Sequence, residues 1–155
     1  MSTIEKDNKQ KSELGYVLGT TRRLILKVLG AEFVEHQIPL TIEQFIFLHI
    51  VRNMQDGATQ QELANHTCKD KSAILRTIDI LEKQGLVKRS QDAGDRRKNI
   101  ISTTEACERL FSKILKIEEH VFGDLTQGIS AKDYETTIRV MLQLQQNANA
   151  TISAK

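Results

Sequence analysis

Residues 59–104, TQQELANHTCKDKSAILRTIDILEKQGLVKRSQDAGDRRKNIISTT, decide how this chain folds. The stretch opens on Thr59 with Glu62 three residues on, the spacing of a capping box in which each side chain satisfies the other residue's free backbone N–H. It predicts a very short helix over 60–66, anchored by Leu63 and Ala64. A link through Thr67 and Cys68 leads to Asp70, a predicted N-cap, and to a helix over 71–84 with Ile74, Ile78 and Leu81 on one face. Gly85 stands where that helix must stop, because glycine takes the left-handed conformation there without steric cost. Beyond it the period changes from about 3.6 to 2. Leu86, Val87 and Lys88 read as extended, Asp92-Ala93-Gly94-Asp95 as a turn, and Asn99, Ile100 and Ile101 as extended again. The result is a predicted β-hairpin with Arg96 and Arg97 at its exposed tip.

The flanks read as helices. Leu14, Leu18, Ile25, Leu29 and Phe33, widened by Val17, Leu24 and Val28, recur with helical spacing from Ser12 to His36. Residues 1 to 11 are polar and aperiodic and are expected to be a frayed tail. After Pro39, Thr41 and Gln44 form a second capping box, opening a helix over 42–54 with Phe45, Leu48 and Val51 inward; Asp56-Gly57 then makes a turn. Thr104 caps a long helix to about Phe122, with Leu110, Ile114, Ile117 and Val121 on one face and Phe111, Leu115 and Phe122 on another. Gly123 and Gly128 interrupt it. Ser130 and Asp133 start a last helix carrying the stripe Tyr134, Ile138, Met141, Leu142 and Gln145. The expected class is mainly α with a small β-hairpin wing (α+β), in one unit spanning 1–155.

Composition narrows the function. The apolar residues never run to the ~20 needed to span a bilayer, and the polar start lacks the apolar segment of a signal peptide, so a cytoplasmic, membrane-free protein is expected. Cys68 and Cys107 form no paired-spacing motif, as in a reducing compartment, and read first as buried, inert thiols. His36, His49, His66, His120 and the two cysteines have no catalytic or metal-ligand spacing, and no phosphate-cradling glycine loop or serine elbow is present. No enzyme, metal or cofactor is expected. The formal charge of +2 is small, so its distribution matters more than its size. Between Thr59 and Thr104 stand Lys69, Lys71, Arg76, Lys83, Lys88, Arg89, Arg96, Arg97 and Lys98 against Glu62, Asp70, Asp79, Glu82, Asp92 and Asp95, and the basic excess is concentrated there.

A short capped helix, a tight link, a second helix with a cationic leading end and a hairpin with a basic tip form, in that order, a helix-turn-helix plus wing over 41–103. Such a second helix fits the major groove and offers polar groups to base edges, while the hairpin straddles phosphates. The candidate base readers are Lys71, Ser72, Leu75 and Arg76, with Thr77 behind them. Lys69 and Lys88 are candidate phosphate contacts. Asp95 is out of place beside phosphate and is assigned a wing-structural role, pairing with the wing arginines; Arg97 then points outward, a role Arg96 can exchange with it.

These residues resemble the MarR family of bacterial regulators: Lys71-Ser72 through Arg76, Leu81-Glu82-Lys83-Gln84-Gly85-Leu86-Val87-Lys88-Arg89, then Asp92, Asp95-Arg96-Arg97 and Thr104. The resemblance spans about residues 40–110. Asp95, Arg97 and Thr104 fall on the family's wing signature, whereas Thr103 replaces its leucine and Cys107 stands where glycine is common. The resemblance implies a homodimer in which the first and last helices of each subunit, here 12–38 and 104–152, interlock and set two winged domains on a near-palindromic operator in double-stranded DNA. Independently, 110–122 and 134–145 carry more apolar surface than one small domain covers. Two-fold symmetry would place the recognition helices roughly 34–36 Å apart, one turn of DNA.

The resemblance further implies a repressor released by a small ligand held where the dimer helices meet the winged domain, with His36, Phe45 and Phe47 as unranked pocket candidates. Two alternatives stand beside it. One is a redox-responsive regulator acting through Cys68, next to the recognition helix, since the first helix has no cysteine. The other is a helical interaction module without DNA, which leaves the wing unexplained.

Overall fold

Helix ends and turns are set by local chemistry, and the core then collects the apolar stripes they expose. The computed structural model describes residues 3–54, 57–67, 69–92, 94 and 98–154. Along the chain these form α1 (Thr3–Glu35), α2 (Ile42–Asn53), β1 (Ala58–Thr59), α3 (Gln60–Thr67), α4 (Lys71–Lys83), β2 (Val87–Gln91), β3 (Asn99–Thr103), α5 (Glu105–Leu125) and α6 (Ala131–Ser153). The protein is mainly helical with a small antiparallel sheet. Two compact units divide it, one up to Glu118 and one from Glu119 onward.

In the first unit, Thr41 Oγ1 accepts from the Gln44 N–H at 3.2 Å while Gln44 Oε1 accepts from the Thr41 N–H at 2.8 Å, so both halves of the capping box open α2. Thr59 and Glu62 repeat the device at α3, at 2.7 and 3.2 Å. At the end of α4 the Leu86 N–H reaches Leu81 O and the Gly85 N–H reaches Glu82 O, both at 2.9 Å, with Gly85 at φ +70°. That is a Schellman stop, and it turns the chain directly into β2.

The sheet order is β1-β3-β2, all antiparallel. Val87 pairs with Thr103, Arg89 with Ile101 and Gln91 with Asn99; on the other edge Ala58 pairs with Ile101. The Asp92 N–H donating to Lys98 O at 3.0 Å continues the hairpin ladder, and Asp92 Oδ1 accepts from the Gly94 N–H at 2.9 Å in an Asx turn. The core joins Phe33 of α1, Phe45, Phe47, Leu48 and Val51 of α2, Leu63 of α3, Ile74, Ile78 and Leu81 of α4, Val87 and Ile101 of the sheet, and Phe111 and Ile114 of α5. Each large apolar side chain buried this way contributes about 1.5–3 kcal/mol. Phe45 is the aromatic hinge of the cluster, 5.4 Å from Phe33 and 5.6 Å from Phe111 between ring centroids.

Several expectations change. The first helix begins at Thr3, not Ser12, so residues 3–11 are helical and not a frayed tail. Their Glu, Lys and Gln have good helix propensity, and a helix already nucleated by the periodic segment extends through them at little cost. Gly123 lies inside α5, which continues to Leu125; an interior glycine costs about 1 kcal/mol, too little to stop a 21-residue helix. The break comes at Gly128, at φ +80°. Phe111 belongs to the core while Leu115, assigned to the same face, is 55% exposed. Strand β1 was not anticipated, because two residues carry no readable period. In the second unit Ser130 caps α6, its Oγ accepting from the Asp133 N–H at 3.1 Å.

Candidate nucleic-acid interface

Helix α4 is built as an amphipathic rod. Asp70 Oδ1 accepts from the Ala73 N–H at 2.9 Å, and that backbone hydrogen bond, helped by Ser72 and Arg76, holds the Asp70 carboxyl below the usual carboxylate range. Ile74, Ile78 and Leu81 are buried, which turns Lys71, Ser72, Leu75 and Arg76 outward, all exposed, with Leu75 at 43%. The four candidate readers therefore share the leading two turns of one helix. Thr77 is half-buried and its hydroxyl donates to Ala73 O at 3.0 Å, so it is engaged within the helix.

The other candidate cations belong to neighbouring segments. Lys88 is exposed on β2. Lys69 is exposed too, but its Nζ pairs with Glu43 Oε2 of α2 at 2.9 Å. Gln60 Nε2 donates to Lys71 O at 3.1 Å and ties the start of α3 to the first turn of α4. Between α4 and the sheet lies a cleft of about 480 Å³, bordered by Gln60, Lys71, Leu75, Lys98 and Asn99. On its margin Glu62 is held low in pKa mainly by the Thr59 backbone N–H, then by the Thr59 hydroxyl, with smaller help from Lys98 and His66. Asp95, Arg96 and Arg97, assigned to the wing, and Cys68 lie outside the described residues.

One cation of this region is engaged within the fold. Arg89 of β2 is three-quarters buried, and its guanidinium hydrogen-bonds the carboxylates of both Asp79 and Glu82 on α4. The pairing cannot be read from one sequence, since the two acids precede Arg89 by seven and ten residues across a helix stop.

A second cavity, of about 460 Å³, has an apolar floor of Ile46, Phe47, Ile50 and Ile74 and a charged rim of Arg22 and the paired Lys69 and Glu43. Of the pocket candidates, Phe47 lines it. Phe45 is packed in the aromatic core, and His36 is exposed, 3.5 Å from Glu32. Cys107 is fully buried, and burial, with the neighbouring Glu108 carboxylate, pushes its thiol up to about 11. Among the described residues no cluster of three His, Cys, Asp or Glu is arranged to hold a metal ion, and no helix is long and apolar enough to cross a membrane.

The MarR family model matches residues 40–98, the segment from just before α2 to the residue preceding β3. Among solved structures, MarR superposes with a TM-score of 0.75 at 28% identity, covering 88% of this chain and 98% of that one. CouR from Rhodococcus jostii RHA1, bound to p-coumaroyl-CoA, matches at 25% identity and TM-score 0.71, covering 89% and 92%. A MarR-family regulator from Listeria monocytogenes complexed with 26mer DNA shares the fold at 23% identity and TM-score 0.70, covering 85% and 86%. Residues 40–98 thus match the MarR family, and the chain shares the winged-helix fold of MarR.

Proposed function

We propose that this protein is a dimeric, sequence-specific DNA-binding regulator acting in the cytoplasm, a repressor that leaves its operator when a small ligand binds. The observation that carries the reading is the leading half of α4, where Lys71, Ser72, Leu75 and Arg76 stand exposed over a buried Ile74-Ile78-Leu81 stripe, with Lys98 across the cleft that Lys71 and Leu75 line. Such a face offers donors to base edges and positive charge to the backbone. Lys69 and Lys88 serve as phosphate contacts; Arg96 and Arg97 are assigned to DNA contact as well, and Asp95 to wing structure. The 26mer duplex bound by the Listeria relative supports the same class of partner.

Dimerisation falls to 12–38 and 104–152, with 41–103 as the DNA-binding region. Its support is apolar surface that the chain does not cover: Leu14, Val17, Leu24 and Val28 on α1, and Tyr134, Ile138 and Leu142 on α6, a helix with no buried residue. The ligand reading rests on the 460 Å³ cavity, whose apolar floor and Arg22 suit an aromatic or aliphatic carboxylate, and on CouR, which holds an acyl-CoA.

Equilibrium binding to a duplex recovered by the protein from a random pool tests the reading. The expected result is a log–log salt slope of about −0.9 for each phosphate neutralised, and a slope about 1.8 units shallower for a double substitution of two phosphate-contacting lysines. Lys71→Ala with Arg76→Ala should erase the preference for the recovered sequence over a scrambled duplex. A flat salt response would reject the proposal.

A further inference from the structure

We propose that Arg89 is a positioning residue: by bridging Asp79 and Glu82 it locks the wing to the recognition helix as one rigid reading head, and it does not itself contact the duplex. The inference rests on the DNA-binding reading above. Arg89 sits on the β2 edge of the sheet, opposite the buried Ile101. Its forked guanidinium takes a different carboxylate at each end, Glu82 on Nη1 and Asp79 on Nη2. Those acids are three residues apart on α4, one turn of helix, so both ends of the fork are fixed by the same rigid element. Planar, many-donor recognition of this kind is particular to arginine; a lysine offers a point charge and cannot fix the orientation of a strand against a helix.

Two further facts point the same way. Leu75, Asp79 and Glu82 follow one another at spacings of four and three, so the clamped acids continue the stripe that begins among the candidate base readers. Without Arg89 that stripe would carry two uncompensated negative charges toward a polyanion. Arg89 also borders the cleft between α4 and the sheet, where Lys71 and Lys98 stand. A cation in that place that were free would be the natural phosphate ligand. The guanidinium's engagement with two carboxylates, at one-quarter exposure, assigns it the other role.

The test uses full-length protein, a duplex recovered by the wild type from a random pool, and a scrambled duplex of equal length. Three variants are compared with wild type by fluorescence anisotropy across a salt series: Arg89→Gln, Arg89→Lys and the double substitution Asp79→Asn/Glu82→Gln. A clamp predicts that Arg89→Gln binds the recovered duplex about tenfold more weakly, the effect of misplacing one base contact, with the salt slope on the scrambled duplex unchanged. Arg89→Lys should restore little of it. The decisive variant is the double substitution, which makes the protein more positive by two charges: a clamp predicts weaker binding to the recovered duplex all the same. Tighter binding by that variant, or a slope reduced by about 0.9 in Arg89→Gln, would make Arg89 a phosphate ligand and overturn the proposal. Wild-type affinity in all variants would overturn it alone, whereas failure of the wild type to bind either duplex would overturn the DNA reading and the clamp with it.

Discussion

Gly57 and Cys107 are the residues at which side-chain chemistry is most constrained. Gly57 adopts φ +77°, and a Cβ placed there would meet Ile100 Cγ2 at 2.5 Å and the Ile101 carbonyl oxygen at 2.8 Å. Gly57→Ala must therefore both enter the left-handed region and push the central strand of the sheet, and we expect it to cost about 2 kcal/mol or more in urea unfolding. Cys107 shows the opposite case, a reactive group kept inert. In a Cys68→Ser background its thiol should react with a disulfide reagent only after denaturant is added; rapid labelling of the native protein would contradict its burial. The sign of its pH effect follows. The folded thiol titrates near 11 against an ordinary 9.0, so the native state favours the protonated form, and this contribution is complete below pH 9 and lost as pH rises through 11. Cys107→Ala should flatten that part of the stability curve. Burial of Cys107 could be anticipated from residue type, but the contacts at Gly57 could not, since they are made by residues more than forty positions away.

At the scale of elements, the junction of α4, the sheet and α5 passes through Thr104. Its N–H donates to Leu86 O at 3.1 Å, its hydroxyl donates to Gly85 O at 2.6 Å, and the same oxygen accepts from the Cys107 N–H at 3.2 Å. One residue thus closes the stop of α4 and opens α5. Thr104→Val keeps the shape and removes both hydroxyl bonds, and we expect a loss of about 1–2 kcal/mol, read as a drop in Tm of several degrees. Beside it Glu108 receives Arg52 Nε at 2.8 Å and the Thr103 hydroxyl at 3.2 Å, so α2, β3 and α5 meet on one carboxylate. The caps at Thr41, Thr59, Asp70 and Ser130 were all readable, because a cap and the N–H it satisfies lie within three residues. The same locality explains the helix stop at Gly85 and the hairpin. The pairing of Lys69 with Glu43 and of Arg89 with Asp79 and Glu82 was not readable, since the partners belong to different elements.

At the scale of the whole molecule, exposed apolar surface points to assembly. Helix α6 presents Tyr134, Ile138 and Leu142 at 44–53% exposure with no residue buried, a stripe that a lone chain leaves wet. Ile138→Glu with Leu142→Glu should convert a dimer to a monomer in sedimentation velocity, without loss of helical circular dichroism, and should weaken DNA binding by removing one of two half-site contacts. Retention of the dimer would place the interface elsewhere.

By itself the sequence determined the helices α2 to α4, the hairpin and the outward set Lys71, Ser72, Leu75 and Arg76, because apolar period, caps and turn residues act over at most a few positions. Tertiary structure alone decided three things. It added β1 to the sheet, drew Phe111 into the core away from Leu115, and engaged Arg89 with two carboxylates of α4. Each depends on which elements come to lie together, and the free energy of such contacts is set by burial and charge placement in space, quantities that no local spacing encodes.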